Sequence, residues 1–250
     1  MLQRRCLQLD GSFWEFIKGY APNLYAYRDR FVTSLQATGE MFLKAGLIAF
    51  AVGLFLGVIL VVTGRGGIHQ NRVIYQITNI VVNVFRSIPF IILLIFLIPL
   101  TRKVVGTAIG VKGAILPLVF GTVPFYTRQV EVALSSVDGG KIEAARSMGS
   151  STVGIIFRVY LHEAVPELIR VTTVTAISLI GLTTMAGAVG AGGIGSFAIN
   201  YGQNQNHQDI VNVCVVVLLI FVFILQGIGN RLAKRATNRG LVTVSHAKKE

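Results

Sequence analysis

The chain is poor in the residues that build covalently or metal-held folds. Its 250 residues include only two cysteines, Cys6 and Cys214, and four histidines. The cysteines stand far apart, so no disulfide framework or thiolate metal site follows. His69, His162, His207 and His246 do not pair with carboxylates or cysteines at ligand spacing. Acids are scarce as well, with 11 Asp and Glu against 23 Lys and Arg, and only 14% of the chain is charged. The long apolar stretches hold almost no carboxylates. A membrane enzyme would need convergent titratable groups there. A self-sufficient secondary transporter would need ion-coupling acids and internal inverted repeats, and no repeat is evident. Two nucleotide fingerprints are also incomplete. Residues 106–112 lack both the Gly before Lys112 and the Ser or Thr after it that a phosphate-cradling loop requires. Gly190-Ala191-Gly192-Gly193-Ile194-Gly195 fits G-x-G-x-x-G, yet it ends an apolar helix, and the next acid, Asp209, stands in the wrong context. It reads instead as a tightly packed exit from that helix. Neither catalysis nor a bound cofactor or metal is expected on this chain.

What the chain does have is apolar length. Hydrophobic residues make up 53% of it, and its mean hydropathy is positive, the composition of an integral membrane protein. A helix needs about 20 apolar residues to cross the hydrocarbon. Five windows qualify: residues 41–63, 74–99, 113–134, 171–190 and 210–230. In the first, Gly53 and Gly57 form a GxxxG that lets helix backbones approach closely. The formal net charge of +12 is spread over loops and tails rather than clustered on a soluble face, so lipid headgroups, not nucleic acid, are its natural partner. With five spans, one side receives the 65–72 loop, the Glu143 region and the basic tail 231–249. The other side receives the amino-terminal tail, the 102–112 loop and the 191–209 loop, the last of which has no Arg or Lys at all. That asymmetry puts the carboxyl end in the cytoplasm, although the amino-terminal Arg4, Arg5, Lys18, Arg28 and Arg30 pull the other way. Residues 1–39 lack the continuous apolar core of a cleavable signal. The aromatic and charged mixture over 13–20 suits an interfacial segment, and a disordered tail fits it equally.

In the second window Asn79, Asn83 and Arg86 recur at helical spacing and form one polar stripe. A mid-span Arg costs about 2.5–3.5 kcal/mol on insertion scales, so the stripe should face protein or water rather than lipid. It either lines a translocation path or glues helices together. Pro89 follows it and should bend or loosen the helix.

Between the third and fourth windows the chain turns amphipathic. Asp138 is placed to cap a helix, Gly149 to close it in the left-handed conformation, and Ser150 and Ser151 to start another. That second helix would carry Val153, Ile156, Phe157, Tyr160, Leu161 and Ala164 on one face. The small Ala144, Ala145 and Gly149 would permit a partner's close approach.

Glu143-Ala144-Ala145, with Gly149 four residues after the second Ala, resembles the EAA loop of permease subunits in bacterial ATP-binding-cassette importers. The Leu-Pro that continues the family pattern is absent: Leu161 is followed by His162, and proline comes only at Pro166. Residues 85–94, FRSIPFIILL, and 185–195, MAGAVGAGGIG, resemble methionine-importer permeases more closely, over a region from about residue 35 to 235. The resemblance implies an all-α membrane protein of the type I importer permease fold, with five transmembrane helices and a cytoplasmic coupling-helix loop. It divides the chain into an extracytoplasmic tail 1–39, a transmembrane domain 40–231 containing the loop 138–166, and a cytoplasmic basic tail 232–250. It implies a multi-pass protein of the bacterial plasma (inner) membrane, with the amino end outside and the carboxyl end cytoplasmic. The implied partners are a second copy of the chain, two cytoplasmic ATPase subunits carrying ATP and Mg, and an extracytoplasmic methionine-binding protein. Glu143, Ala144, Ala145, Met148, Gly149 and Ser150 are then the docking surface for the ATPase. Asn79, Asn83, Arg86 and Met185 are candidates for the translocation path or its gate.

Overall fold

A computed structural model describes the backbone of residues 18–247 and the side-chain surroundings up to Thr237. All regular structure among these residues is helical. A short helix α1 (Pro22–Ala26) leads into α2 (Arg28–Thr63). Then come α3 (Arg72–Ser87), α4 (Phe90–Phe96), α5 (Ile98–Val105) and α6 (Gly110–Ser135). The connecting region holds α7 (Gly139–Ser147) and α8 (Thr152–Ile155). Last come α9 (Val165–Ala186), α10 (Gly193–Phe197) and α11 (Gln208–Ala247).

Among the described residues, three helices are long and apolar enough to cross a membrane unaided: α2, α9 with its π-helical extension, and α11. Two bent pairs, α3–α4 at 103° and α5–α6 at 120°, pass the same test together, giving up to five spans if each pair counts as one. The break between α3 and α4 falls where Pro89 predicts it, because Ile88 is extended and Pro89 cannot donate to the helical ladder. The second window is thus two helices meeting at a corner rather than one rod.

Several expected boundaries shift. The first window begins at residue 41, but α2 starts at Arg28, so the division at 39/40 falls inside a 36-residue helix about 54 Å long. Polar residues on its first turns hid this from a hydropathy reading. The expected loop 102–112 begins instead inside α5, which has Pro near its start and Gly106 at φ +84° just past its end. The tail expected at 232–250 continues α11 as helix up to Ala247. Of the expected interfacial segment 13–20, residues 13–17 lie outside the described residues, as does Cys6.

The α2–α6 pair is the most extensive packing in the fold. The GxxxG explains why: a Cβ on Gly53 would lie 2.7 Å from Tyr126 Cδ1, and one on Gly57 2.5 Å from Val130 Cγ1. Among the described residues, buried apolar side chains collect in three clusters. One lies beneath the connecting region, around Val130, Leu134, Ala145, Ile155 and Tyr160. A second joins Met41, Leu94, Leu118 and Leu179. The third, around Leu24, Phe31, Ile194, Phe197, Ile210 and Cys214, ties the chain's beginning to the turn before α11. Large apolar side chains such as Leu47, Phe55, Ile77 and Phe223 stay exposed, as lipid-facing or partner-facing residues do.

Candidate functional site

The connecting region is built by local rules. Asp138 Oδ1 accepts from the Gly140 amide at 2.8 Å and caps α7. At the other end Gly149 sits at φ +76°. Its amide donates to the Arg146 carbonyl at 3.0 Å and the Ser150 amide to the Ala145 carbonyl at 3.1 Å. This paired closure satisfies the carbonyls left over at a helix end. Ser151 Oγ then accepts from Gly154 at 3.2 Å and starts α8. Five of the six residues expected to dock a partner (Glu143, Ala144, Met148, Gly149 and Ser150) are exposed.

The sixth is a correction. Ala145 is 5% exposed and belongs to the cluster beneath the elbow. Its small size lets α7 lie close against the residues beneath it. The apolar face of the second helix is also displaced. Ile155, Tyr160 and Ala164 are buried, whereas Val153 and Phe157 are 62% and 64% exposed. A π-helical turn at Ile156–Tyr160 widens the helical period there and rotates the expected stripe. Nor is this a separate interfacial helix, because short helical segments carry the chain almost without interruption into α9. Exposed Met148, Val153 and Phe157 therefore give the elbow an apolar character.

One polar contact ties α7 to a distant loop and another ties it to the chain just before α9. Arg146 Nη2 donates to the Ile68 carbonyl in the 64–71 loop at 2.7 Å, and Lys141 pairs with Glu163 at 2.6 Å. Burial raises the Tyr160 phenol above its ordinary pKa, while the nearby Arg146 charge pulls it back part-way. The phenol thus stays neutral beside that cation.

The stripe on α3 divides. Asn79 and Asn83 hydrogen-bond each other at 3.3 Å, and both accept from Arg128 on α6, the Asn83 bond being 2.9 Å. Arg128 also pairs with Glu131, each side chain 18% exposed. Arg128 and Glu131 were missed as site residues. Their signal was an i,i+3 ion pair inside an otherwise apolar window. Arg86, on the same face one turn further, is not part of this cluster but lines a cavity at the α3–α4 corner. Glu131 also borders a larger polar cavity of about 690 Å³, with Arg65, Arg72, Tyr75 and Gln76. Hence one polar line runs along α3 from this cavity, past the Arg128 cluster, to the corner.

Met185 is 49% exposed near the end of α9. After it, Gly190, Gly192 and Gly193 all have positive φ, at +96°, +82° and +80°. There the Ile194 amide donates to Thr38 Oγ1 of α2 at 2.8 Å. Beyond α10, α1 closes over the start of α11. The Asn23 backbone amide and Nδ2 both donate to the Asp209 carboxylate at 3.1 Å, and Tyr27 Oη donates to Gln205 at 3.1 Å.

The sequence pattern that defines the binding-protein-dependent transport system inner membrane components matches residues 49–238. The chain belongs to this family. Among related permeases, it is 42% identical over 195 residues to a probable D-methionine transport system permease of Pasteurella multocida, covering 78% of this chain and 90% of that one. It is 49% identical over 172 residues to the methionine import system permease of Bacillus subtilis, covering 69% and 78%. An inward-facing methionine ABC transporter superposes on 84% of this permease and 98% of its own chain, with 41% identity and a TM-score of 0.82. An amino acid ABC transporter solved with histidines shares the fold, at a TM-score of 0.70 and 16% identity, covering 85% of this permease and 96% of that chain. The permease is a multi-pass membrane protein. Its elbow corresponds to the segment whose Glu-Ala-Ala and Gly pattern suggested the family.

Proposed function

We propose that this permease is the membrane half of an ATP-driven importer of methionine, and that the exposed elbow is where a separate cytoplasmic ATPase docks. The similarity to methionine permeases over most of the chain supports the substrate. The observation that carries the docking role is the closed, outward-standing α7–Gly149–α8 elbow. Its Glu143, Ala144, Met148 and Ser150 are free of the chain's own packing.

The complex holds two copies of this chain and two ATPase subunits, which bind the ATP and Mg, and it receives methionine from an extracytoplasmic binding protein. The elbow, the 64–71 loop and the end of α11 lie in the cytoplasm. The Gly190–Gly193 turn and α1 lie outside. Closure of the ATPase pair pulls the elbow. The Arg146 bond to Ile68 passes that movement into the 64–71 loop and so into α3, which carries the polar line. The spans then exchange outward- and inward-open packings, a shift between two states driven by differential binding of nucleotide.

The test is reconstitution. The permease, its ATPase and its binding protein in liposomes should take up methionine only with ATP, in competition with related amino acids. Uptake without ATP, or of no amino acid at all, would overturn the reading. For orientation, in a background without Cys6 and Cys214, a cysteine at Asn204 should react with an impermeant thiol reagent from outside cells and one at Ser150 should not.

A further inference from the structure

At the corner between α3 and α4 the chain encloses a cavity of about 160 Å³. Three kinds of group line it. Phe85, Phe90 and Phe125 give aromatic walls. Arg86 supplies a cation that takes part in none of the ion pairs among the described residues. Thr122 and Ser178 add hydroxyls, and the Thr122 Oγ1 is buried with no hydrogen-bond partner. No acid borders the cavity.

The corner adds a fourth element. A helical carbonyl accepts from the amide four residues on, and the residue four beyond Phe85 is Pro89, which has no amide hydrogen. The Phe85 carbonyl therefore loses its helical donor at the place where the chain bends by 103°. A broken helix in a membrane exposes such carbonyls toward cations. Positive and negative hydrogen-bonding groups thus stand on adjacent residues, Arg86 and Phe85, beside an apolar slot. That pattern matches the zwitterionic head of an α-amino acid, whose carboxylate and ammonium branch from one carbon.

We propose that this cavity is a weak subsite for methionine within each permease chain. Arg86 takes the carboxylate, the freed carbonyl end of α3 takes the ammonium, and the three phenylalanines take the thioether. Sulfur packs favourably at aromatic rings, and a lining without acids offers nothing to a basic side chain. The subsite rests on the reading of the chain as an amino-acid importer. It adds to that reading where in the chain the solute is recognised and by which of its groups.

The test uses the whole complex of permease and ATPase in lipid nanodiscs, without nucleotide and without binding protein. Binding of radiolabelled methionine is measured, and counts bound by the ATPase purified alone are subtracted. Saturable binding is expected. Norleucine should displace it, whereas methioninol, which lacks the carboxylate, and lysine should each need at least ten-fold more. Arg86→Gln should weaken methionine binding at least ten-fold, Arg86→Lys less, and Phe125→Ala should weaken methionine without changing the discrimination against methioninol.

Absence of saturable binding above the ATPase background would overturn the subsite. So would displacement by methioninol as effective as by methionine, or unchanged affinity in Arg86→Gln. Should Arg86→Gln fail to assemble, the analogue panel on the unmodified complex decides alone. ATP-dependent uptake by the complete system is measured in parallel. Uptake of methionine together with carboxylate-blind binding rejects the subsite and keeps the importer, whereas no uptake of any amino acid rejects the importer itself.

Discussion

At Gly149 an added Cβ would meet nothing within 4 Å, whereas at Gly195 it would lie 2.2 Å from the Thr184 carbonyl oxygen. Gly149 is the one glycine of the elbow turn ahead of α9, and Gly195 is one of five glycines in the segment 187–195 that follows it. The first turn needs glycine for its backbone angle and leaves its surroundings empty. The second needs it for backbone angle at Gly190, Gly192 and Gly193 and, at Gly187 and Gly195, for space: Gly187 as well would place a Cβ 2.7 Å from the Gly192 carbonyl oxygen and the Ser196 amide nitrogen. Gly149 and Gly195 therefore have opposite duties. An empty surround around a fixed, exposed elbow leaves room for another protein, and a filled surround holds the chain to itself.

Substitution at the packed turn should do the most damage. Gly195→Val forces a branched side chain against backbone that cannot retreat, so a loss of about 3 kcal/mol or more is expected, the upper end for overpacking. Thermal unfolding in detergent should show it, together with poor recovery of folded protein. A Gly195→Val protein as stable as the parent would remove the contrast between the two turns.

Next comes the Arg128 cluster, which also works by internal contact. Arg128→Leu leaves Glu131 half-buried and uncompensated and frees Asn79 and Asn83. Breaking one side of such a pair costs about 3 kcal/mol. Arg128→Leu combined with Glu131→Leu should recover much of that loss, which a double-mutant cycle on thermal stability would measure. Strict additivity would mean that the ion pair is incidental.

The empty turn should respond differently. Gly149→Val strains a left-handed residue by about 1–2 kcal/mol, so folding survives. ATPase copurification and ATP-driven uptake should both fall, and Gly149→Asn, which tolerates this conformation better, should restore them in part. The smallest effect belongs to Glu143→Lys. An exposed charge reversal at a rim changes the rate of association more than its final strength, so the shift should be a few-fold and should shrink in high salt.

The elbow was legible in the sequence because every device in it is local. Asp138, Gly149 and Ser151 each act on a neighbour no more than four residues away. Periodicity could not say which way Ala145 points, since α7 is nine residues long and only weakly amphipathic by sequence. The π-helical turn at Ile156 was equally invisible, because nothing in the residue pattern distinguishes it from an ordinary helix. Pro89 announced the corner but not its angle. The Arg128 cluster joins residues 49 apart, beyond the reach of any window, although Arg128 and Glu131 at i,i+3 were there to be noticed. The helix α5 carries its own punctuation, Pro99 near its start and Gly106 after its end, yet its second half falls in the expected 102–112 loop because Arg102 and Lys103 outweigh that signal.

The clasp between Asn23 and Asp209 spans 186 residues. A ribosome adding about 5–20 residues per second needs roughly 10–40 s to make that intervening length, 186 residues divided by either rate. For that interval the amino-terminal segment has already emerged while its partner does not yet exist. The Leu24 and Phe31 side chains, destined for a closed apolar cluster with Ile210, must wait uncovered until the last helix is inserted. Docking of α1 therefore cannot come before synthesis of the start of α11, which makes it a late event in the assembly of the fold.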